Sequence, residues 1–378
     1  MHHRIYLDHN ATTPIDQQVL HAVIEELKLE ARNPSSFHYH GQQSKSTLDN
    51  ARKIVADFMG VKLQEIIFTS GGTEGAFLLI QGVMAKHTTG HVITSNTEHS
   101  CVHQNVLKLV EKGVEVTFLP SGSWGAVKAE DVAKAIRPDT RLITLMAANN
   151  ETGVKTEIEA IASICQRAGI HFVVDGVALL GKESIQWPQG VSAAFFSGHK
   201  IHASKGVGFF FCRQTTKLTP LLVGGGQEFN RRAGTENLAG IVGLAEAIKI
   251  LSKDQSAITA KMTFLRDWLE RGLLNLGNVK INGQGPRIAN TTNLSFNDVD
   301  GETLLIHLDR AGLSVSHGSA CSSGALEPSR ILINMGLPLK EARSALRFSI
   351  GRTTTQQEIE QSIAVVSSVL TKLRGIKK

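Results

Sequence analysis

Short apolar runs alternate with helix-like stretches between about residue 65 and residue 212 of this 378-residue chain. The apolar runs are rich in β-branched and aromatic residues, and most of the stretches between them have helical periodicity. Strands that alternate with helices predict a wound, mainly parallel sheet. The predicted strands cover residues 66–69, 91–95, 115–119, 141–146, 171–175, 193–197 and 208–212.

The second half of the chain has a different pattern. After Glu236, apolar residues recur at helical spacing through Leu251 and again over residues 257–276, which predicts a helical bridge between two domains. The pattern as a whole predicts an α/β protein, with a large sheet domain and a small α+β domain. The remaining predicted elements are a strand at 293–296, a helix at 301–311, a strand at 346–350 and a helix at 355–373.

The composition, with 42% hydrophobic and 20% charged residues, is typical of globular proteins. The net charge of +6 would suit a nucleic-acid ligand, but the Lys and Arg residues are spread along the sequence without a basic block. Affinity for small anionic groups explains this charge equally well. We therefore expect no direct contact with nucleic acid.

The four cysteines lie far apart and include no CxxC pair, which argues against a zinc site or a disulfide framework. This spacing favours a reducing compartment, and no apolar run is long enough for a membrane span. We therefore expect a cytoplasmic protein with no resident metal and no membrane contact. Cys101, Cys165 and Cys212 fall in helix or strand patterns and are interpreted as packing residues.

The segment 70–74, Ser-Gly-Gly-Thr-Glu, connects a predicted strand to an apolar helix predicted at 76–84. Gly72 would let the backbone approach an anion, Thr73 adds a hydroxyl, and the helix start offers unpaired amides. Such a turn could bind phosphate. Taken alone, the segment fits an ordinary glycine turn at least as well.

Two further predicted strands lead into residues with ionisable side chains. Asp175 ends one predicted strand, and Lys200 follows another in the run Ser-Gly-His-Lys. Ligands of open α/β sheets gather at such strand ends. An amine, a carboxylate and phosphate donors are the groups that pyridoxal phosphate requires. In isolation, a surface lysine and a helix-capping or salt-bridged aspartate would explain these residues.

Polar residues also follow the strands at 91–95 and 141–146. Asn150, in Asn-Asn-Glu-Thr-Gly, could contact a cofactor or could serve only as a turn residue. His99, in Thr-Glu-His, could stack on a cofactor ring or shuttle protons. The chain has 15 histidines, so His99 alone is weak evidence.

Cys321 lies in a run of small and polar residues, 316–324, with little apolar anchoring. This setting predicts an exposed, mobile loop, in which a thiol could become a nucleophile. Arg347 lies in a predicted strand, opposite in alternation to the apolar Leu346 and Phe348. Its guanidinium could bind a substrate carboxylate, and a structural ion pair explains it about equally well.

As a set, these motifs resemble those of the cysteine desulfurases, and are closest to the bacterial NifS and IscS branch. The resemblance runs in order over nearly the whole chain. The motifs that carry it are Tyr6-Leu7-Asp8 with Ala11-Thr12-Thr13-Pro14, Ser70-Gly71-Gly72-Thr73-Glu74, Thr97-Glu98-His99, Asn149-Asn150-Glu151-Thr152-Gly153, Ser197-Gly198-His199-Lys200, Arg232-Ala233-Gly234-Thr235 and Gly318-Ser319-Ala320-Cys321.

The resemblance implies a type I pyridoxal-phosphate-dependent transferase fold in a homodimer with two shared sites. It implies a large domain over residues 15–255 and a small domain built from residues 1–14 and 256–378. The implied activity converts L-cysteine to L-alanine and passes the sulfur, as a persulfide, to an acceptor such as an iron–sulfur scaffold protein, for cluster assembly or thiolation.

The resemblance also assigns roles to individual residues. Lys200 would carry the cofactor as a Schiff base, Asp175 would pair with its pyridine nitrogen, and His99 would stack on its ring and take part in catalysis. Cys321 would accept the sulfur and could transiently bind an iron–sulfur cluster. The other implied contacts are Gly72, Thr73, Asn150, Ser197 and His199 to the cofactor, Thr235 to the cofactor of the other subunit, and Asn33 and Arg347 to the substrate carboxylate.

The sequence departs from the family at two places. Three residues after Asp175 the family has a glutamine that bonds the cofactor's phenolic oxygen, whereas this chain has Ala178. The family's Gly-Pro-Lys-Gly run after the lysine is here residues 203–206, Ala-Ser-Lys-Gly. Three alternatives stay open: a selenocysteine lyase, an aminotransferase-like enzyme, which Cys321 argues against, and a weakly active or non-catalytic binding protein, which Ala178 favours.

Overall fold

The computed structural model describes residues 4–87, 89–318 and 328–376. Cys321 therefore lies outside the described residues. The strands are β1 (Ile5–Tyr6), β2 (Ile66–Thr69), β3 (His91–Ser95), β4 (Glu115–Leu119), β5 (Thr140–Met146), β6 (His171–Asp175), β7 (Ala193–Ser197), β8 (Gly208–Cys212), β9 (Val279–Ile281), β10 (Thr291–Phe296), β11 (Leu313–Ser314) and β12 (Ala345–Ser349).

The helices occupy most of the chain between these strands. Many bounds agree with the apolar periodicity, although the helix predicted at 76–84 begins four residues earlier. The helices are α1 (Gln17–Lys28), α2 (Tyr39–Met59), α3 (Gly72–Met84), α4 (Ser100–Glu111), α5 (Ala129–Ala135), α6 (Ile158–Ala168), α7 (Gln227–Asn230), α8 (Leu238–Leu274), α9 (Gly301–Arg310), α10 (Arg330–Asn334), α11 (Leu339–Arg343) and α12 (Gln356–Ile376).

The large sheet has seven strands in the order β2-β8-β7-β6-β5-β3-β4. Strand β8 is antiparallel to both of its neighbours, and the other pairs in this sheet are parallel. The predicted wound, mainly parallel sheet is therefore confirmed. The carboxyl ends of β2, β3, β5, β6 and β7 share one edge of the sheet, where ligands of such folds bind.

Both faces of this sheet are buried. Phe196 and Phe209 pack in a core on one face, whereas Phe195 and Phe210 pack in a core on the other. Burial on both faces explains why these strands read as continuous apolar runs instead of alternating ones.

Helix α8 joins this part of the molecule to a second core. A kink at Asp254, whose φ is −135°, divides α8 into two helical parts, as the two predicted helical stretches require. Leu244 and Leu251 pack in the core of the large sheet, whereas Leu265 and Leu269 pack in the second core. The division into domains at residue 255 stays a prediction.

The second core lies against two small sheets. Strands β12, β10 and β9 form an antiparallel sheet, and β1 pairs with β11 in parallel. Ile5 and Leu7 pack with Leu313 and Phe348, so residues near the amino end share a core with the last third of the chain. Within the described residues, no helix is long and apolar enough to cross a membrane.

The turn labelled α7 has an unusual backbone. Glu228, Phe229 and Asn230 have φ values of 48°, 57° and 61°, in the left-handed region that non-glycine residues rarely adopt. Arg52 holds this turn in place through two bonds of 2.7 Å to the Glu228 carboxylate, which also accepts the Phe68 amide at 2.8 Å. The fixed turn leads directly into the segment that contains Thr235.

Candidate active site

A cavity of about 230 Å³ opens at the edge where the parallel strands end. The segment His9–Ala11 and strand β12 close its other side. Most of the predicted site residues meet there. Those that line the cavity are Gly72, Thr73, His99, Asn150, Asp175, Ser197, His199, Lys200 and Arg347.

Two predicted residues lie elsewhere. Asn33 is exposed between α1 and α2, where its side-chain oxygen accepts the Ser35 amide at 2.9 Å. Thr235 is exposed between α7 and α8. Neither lines the cavity, so their roles stay predictions. The role of Cys321 also stays a prediction.

Lys200 ends a short helical turn that follows β7. Its amine donates to the backbone carbonyl of Ala11 at 2.8 Å and to that of Asn10. Thr13 bonds the carbonyl of His199 through both its amide and its hydroxyl, at 3.0 and 2.8 Å. The amino-terminal segment therefore fixes the turn that presents the lysine.

Asp175 ends β6 and is buried beside Lys200. One carboxylate oxygen accepts the Val177 amide at 2.9 Å. Burial raises the pKa of Asp175 to about 6, and the Val177 bond and the positive charge of Lys200 act in the opposite direction. The carboxylate is therefore ionised at neutral pH, in a place where a further cation would stabilise it.

The first residue of α3, Gly72, brings the backbone close to the segment that follows β6. A Cβ atom at Gly72 would lie 2.9 Å from a methyl group of Val177, so a side chain there would force a shift. Glu74 turns towards the Ser70 amide at 2.7 Å and the Arg232 guanidinium at 2.8 Å. The Glu74 carboxylate is therefore paired with Arg232 and Ser70. Its neighbour Thr73 lines the cavity.

Two histidines bring neutral rings to the cavity. Burial and then the charge of Lys200 lower the pKa of both His99 and His199 to about 4. His199 bonds the Thr12 hydroxyl at 3.1 Å. His99 caps the start of α4, and its Nδ1 accepts the Cys101 amide at 3.2 Å.

Arg347 is almost fully buried on β12, and its strand neighbours Leu346 and Phe348 pack in the second core. The predicted alternation is therefore confirmed. Its guanidinium donates to the Asp8 carboxylate at 2.6 Å and to the Asn150 carbonyl at 3.0 Å. The ion-pair interpretation of Arg347 is confirmed. Its role in binding a substrate carboxylate stays a prediction, although the side chain also lines the cavity.

The cavity also has lining residues that the sequence analysis did not assign to the site, among them Lys182 and Cys101. Lys182 donates to the Lys200 carbonyl at 2.8 Å, and burial, followed by the charges of Lys200 and Arg352, lowers the pKa of Lys182 to about 7. The interpretation of Cys101 as a packing residue was incomplete, because Cys101 also lines the cavity beside His99. Its position two residues after His99 was the available signal.

The described residues on either side of Cys321 attach to the cavity walls. Ser316 pairs with Arg347 through two backbone bonds of 3.2 and 2.7 Å. Arg330 donates to the carbonyls of Asn96 and Glu98, at 2.7 and 2.5 Å, next to His99. Ser316 and Arg330, which belong to the described parts of the chain before and after Cys321, are therefore fixed close to Arg347 and His99.

Comparisons with known proteins agree with this geometry. Residues 5–361 match the aminotransferase class-V family. Proteins named cysteine desulfurase IscS from Dictyoglomus turgidum and Methanosarcina thermophila are 40% and 38% identical to the chain. The alignments cover 100% of this chain and 97% of the first protein, and 98% of this chain and 93% of the second.

Solved structures give the same result. A NifS-like protein superposes with a TM-score of 0.92 at 34% identity, covering 98% of this chain and all of the other. A structure described as SspA in complex with cysteine superposes with a TM-score of 0.83 at 31% identity, covering 93% of this chain and all of the other. The chain therefore belongs to the class-V aminotransferase family and, within it, to the cysteine desulfurases.

Proposed function

We propose that this protein is a pyridoxal-phosphate-dependent enzyme that converts L-cysteine to L-alanine and passes the sulfur on as a persulfide. One observation carries the proposal: the Lys200 amine, the Asp175 carboxylate and the turn at Gly72 and Thr73 line one cavity. These are the groups that pyridoxal phosphate requires, and they come from three separate strand ends.

The cavity residues fit this cofactor. Burial disfavours the charged form of Asp175 and raises its pKa to about 6. The protonated pyridine nitrogen of the cofactor would be a cationic partner that stabilises this carboxylate. The Asn150 side-chain oxygen is buried and has no hydrogen-bond partner among the described residues, so a bound group could supply one. The first turn of α3 offers backbone amides to a phosphate.

Each residue would then have a definite task. Lys200 would hold the cofactor covalently, Asp175 would keep its nitrogen protonated, and His99 would lie against its ring. When bound, pyridoxal phosphate supplies an electron sink that makes the bond between Cβ and sulfur of cysteine cleavable. The proposed phosphate contacts are Gly72, Thr73, Ser197 and His199, with Thr235 acting from the second subunit of a homodimer.

The substrate would be held by its carboxylate and attacked at its sulfur. Arg347 would bind the carboxylate, with Asn33 as the second proposed contact. The Cys321 thiolate would form a sulfur–sulfur bond as the carbon–sulfur bond breaks; the electron pair of that bond goes to Cβ, which takes a proton. L-cysteine and a thiol thus give L-alanine and a persulfide, and no outside oxidant is needed.

The persulfide sulfur would pass to an acceptor protein in the cytoplasm, such as an iron–sulfur scaffold. Exposed apolar side chains at the start of α2 and around α7 support the proposed homodimer, because large exposed apolar groups mark contact surfaces. Those that bear on this point are Phe37, Tyr39, Leu222, Val223 and Phe229.

The test is the visible absorption spectrum of the purified protein before and after L-cysteine is added, with alanine and sulfide assayed alongside. We expect cofactor absorbance that responds to cysteine and one alanine for each sulfur released. Cys321→Ala should lose alanine formation, whereas Cys165→Ala, which changes a buried cysteine on α6, should keep it. Colourless protein that cannot be reconstituted would overturn the proposal.

A weakly active enzyme is the second candidate, and Ala178 favours it. Ala178 lines the cavity, and its side chain has no hydrogen-bond donor for a bound group. If this methyl group limits the rate, Ala178→Gln should increase turnover and change the absorption maximum of the loaded protein. Unchanged turnover and spectrum would exclude that limitation.

A further inference from the structure

The start of helix α4 determines which nitrogen of His99 can carry a proton. His99 is the residue that caps this helix, and its Nδ1 accepts the backbone N–H of Cys101 at 3.2 Å. A backbone amide can only donate, so Nδ1 has to present its lone pair. The ring proton cannot be on Nδ1 while this bond exists.

The side chain of Cys101 contacts the same nitrogen. Its Sγ lies 3.0 Å from Nδ1 of His99. Burial, followed by the negative charge of Asp175, raises the pKa of Cys101 far above its ordinary value, so the sulfur keeps its proton. The thiol is then a second donor to Nδ1. Cys101 thus donates to Nδ1 of His99 through both its backbone amide and its thiol.

The imidazole ring of His99 is uncharged at neutral pH. Burial and the charges of Lys200 and Arg330 lower the pKa of His99 to about 4. The carboxylates on this side are Glu98 and Asp175; burial raises the pKa of Glu98 to about 8, so Glu98 is protonated at neutral pH. A neutral ring has one proton, which leaves Nε2 as its position.

We propose that Cys101 is a positioning residue that holds His99 as the Nε2–H tautomer, so that His99 offers the cavity a hydrogen-bond donor and not a base. Among the described residues none bonds Nε2, and the ring lines the cavity. The group that His99 serves is therefore an acceptor, such as an anionic oxygen or a thiolate. The identity of that group rests on the proposed function.

This assignment limits what His99 can do in a reaction. Nε2 already carries a proton, and protonation of Nδ1 would break the bonds from the Cys101 amide and thiol. A proton removed from a substrate therefore has to go to another group. His99 would hold an acceptor in place, and the shuttle role considered from the sequence is disfavoured.

The first test is nitrogen NMR of the purified protein, labelled with ¹⁵N-histidine, at neutral pH. The signals of His99 are identified by their loss in His99→Gln. We expect a pyridine-type Nδ1 and a pyrrole-type Nε2. A pyrrole-type Nδ1, or signals averaged between the two tautomers, would overturn the assignment.

The second test separates the thiol from the amide. Cys101→Ala keeps the amide and removes the thiol, so the pKa of His99 should rise and kcat should fall about two- to tenfold, with KM changed less than about twofold. Cys101→Ser keeps a donor and should restore both values. Cys165→Ala should change neither. If Cys101→Ala kept the wild-type pKa of His99 and the wild-type kcat, the positioning role of Cys101 would be overturned.

The two proposals fail in different ways. A protein that does not respond to L-cysteine but shows the expected NMR signals would overturn the proposed function and leave the tautomer assignment intact. A protein that makes alanine but has a pyrrole-type Nδ1 would overturn the assignment alone.

Discussion

Two buried arginines of this protein pair with carboxylates in different ways. Arg52 and Glu228 share two bonds of 2.7 Å, and the exposed fractions of their side chains are 3% and 1%. Arg347 makes one bond of 2.6 Å to Asp8, donates through its second terminal nitrogen to a backbone carbonyl, and faces the cavity. The first pair is enclosed by protein and does not line the cavity, whereas the second lies where a ligand carboxylate could reach it.

The difference follows from the surroundings. Arg52 holds a left-handed turn that does not line the cavity, and any loss of a partner there would leave a charge buried without compensation. Arg347 stands on a strand at the border between the second core and the cavity, where a substrate can replace part of its pairing. The comparison predicts a stability effect for the first pair and a binding effect for the second.

The largest effect is expected from Arg52→Ala. Removing this guanidinium leaves the Glu228 carboxylate buried without its charge partner, so the free energy of unfolding should fall by about 3–5 kcal/mol. Denaturant unfolding followed by circular dichroism measures it. Lys53→Ala, next in sequence, removes an exposed ion pair with Asp57 and should cost less than about 1 kcal/mol. Equal losses in the two variants would contradict the distinction.

The next effect is on substrate binding. Arg347→Lys keeps a positive charge but loses the forked donor geometry, so kcat/KM for L-cysteine should fall about a hundredfold, mostly through KM. Steady-state kinetics of alanine formation measure this. Arg287→Lys is the matched control, because Arg287 pairs with Glu270 through bonds of 2.5 and 3.0 Å and does not line the cavity. A similar KM in both variants would show that Arg347 does not bind the substrate carboxylate.

A third carboxylate, Asp175, has no arginine partner in the described part of the chain. Its pKa is raised to about 6, so below that pH the empty site holds a neutral acid. Binding of a cationic pyridine nitrogen needs the ionised form. The affinity for pyridoxal phosphate should therefore weaken as the pH falls through 6, towards tenfold per pH unit.

Titration of the cofactor-free protein with pyridoxal phosphate, followed by absorbance, measures this dependence. The phosphate group also titrates near this pH, with a pKa of about 6, so Asp175→Asn serves as the control. The variant should bind more weakly and lose the part of the pH dependence that Asp175 causes. An identical pH profile in both proteins would exclude Asp175 as the partner.

The smallest effect is expected from Asp8→Asn. The amide cannot compete with the substrate carboxylate for Arg347, so KM for L-cysteine should fall about threefold, with little change in kcat. Steady-state kinetics at low ionic strength would show this best, because salt screens the competition. A higher KM would mean that Asp8 orients Arg347 and does not compete with the substrate.

The sequence by itself determined the strands of the large sheet and the kinds of groups at their ends. Apolar runs and helical periodicity are local signals, so β2, β3, β4, β6, β7 and β8 match their predicted bounds and β5 begins one residue earlier. Because parallel strands place their carboxyl ends at one edge, the convergence of Asp175 and Lys200 also followed from the pattern.

The tertiary structure decided which groups touch. The pairing of Asp8 with Arg347 joins residues 339 positions apart, and no periodicity encodes such a contact. The antiparallel direction of β8, the burial of Lys182 beside Lys200 and the approach of the Cys101 thiol to His99 were likewise invisible. Sequence patterns report local propensity and burial, whereas bond partners and pKa shifts depend on atoms that only packing brings together.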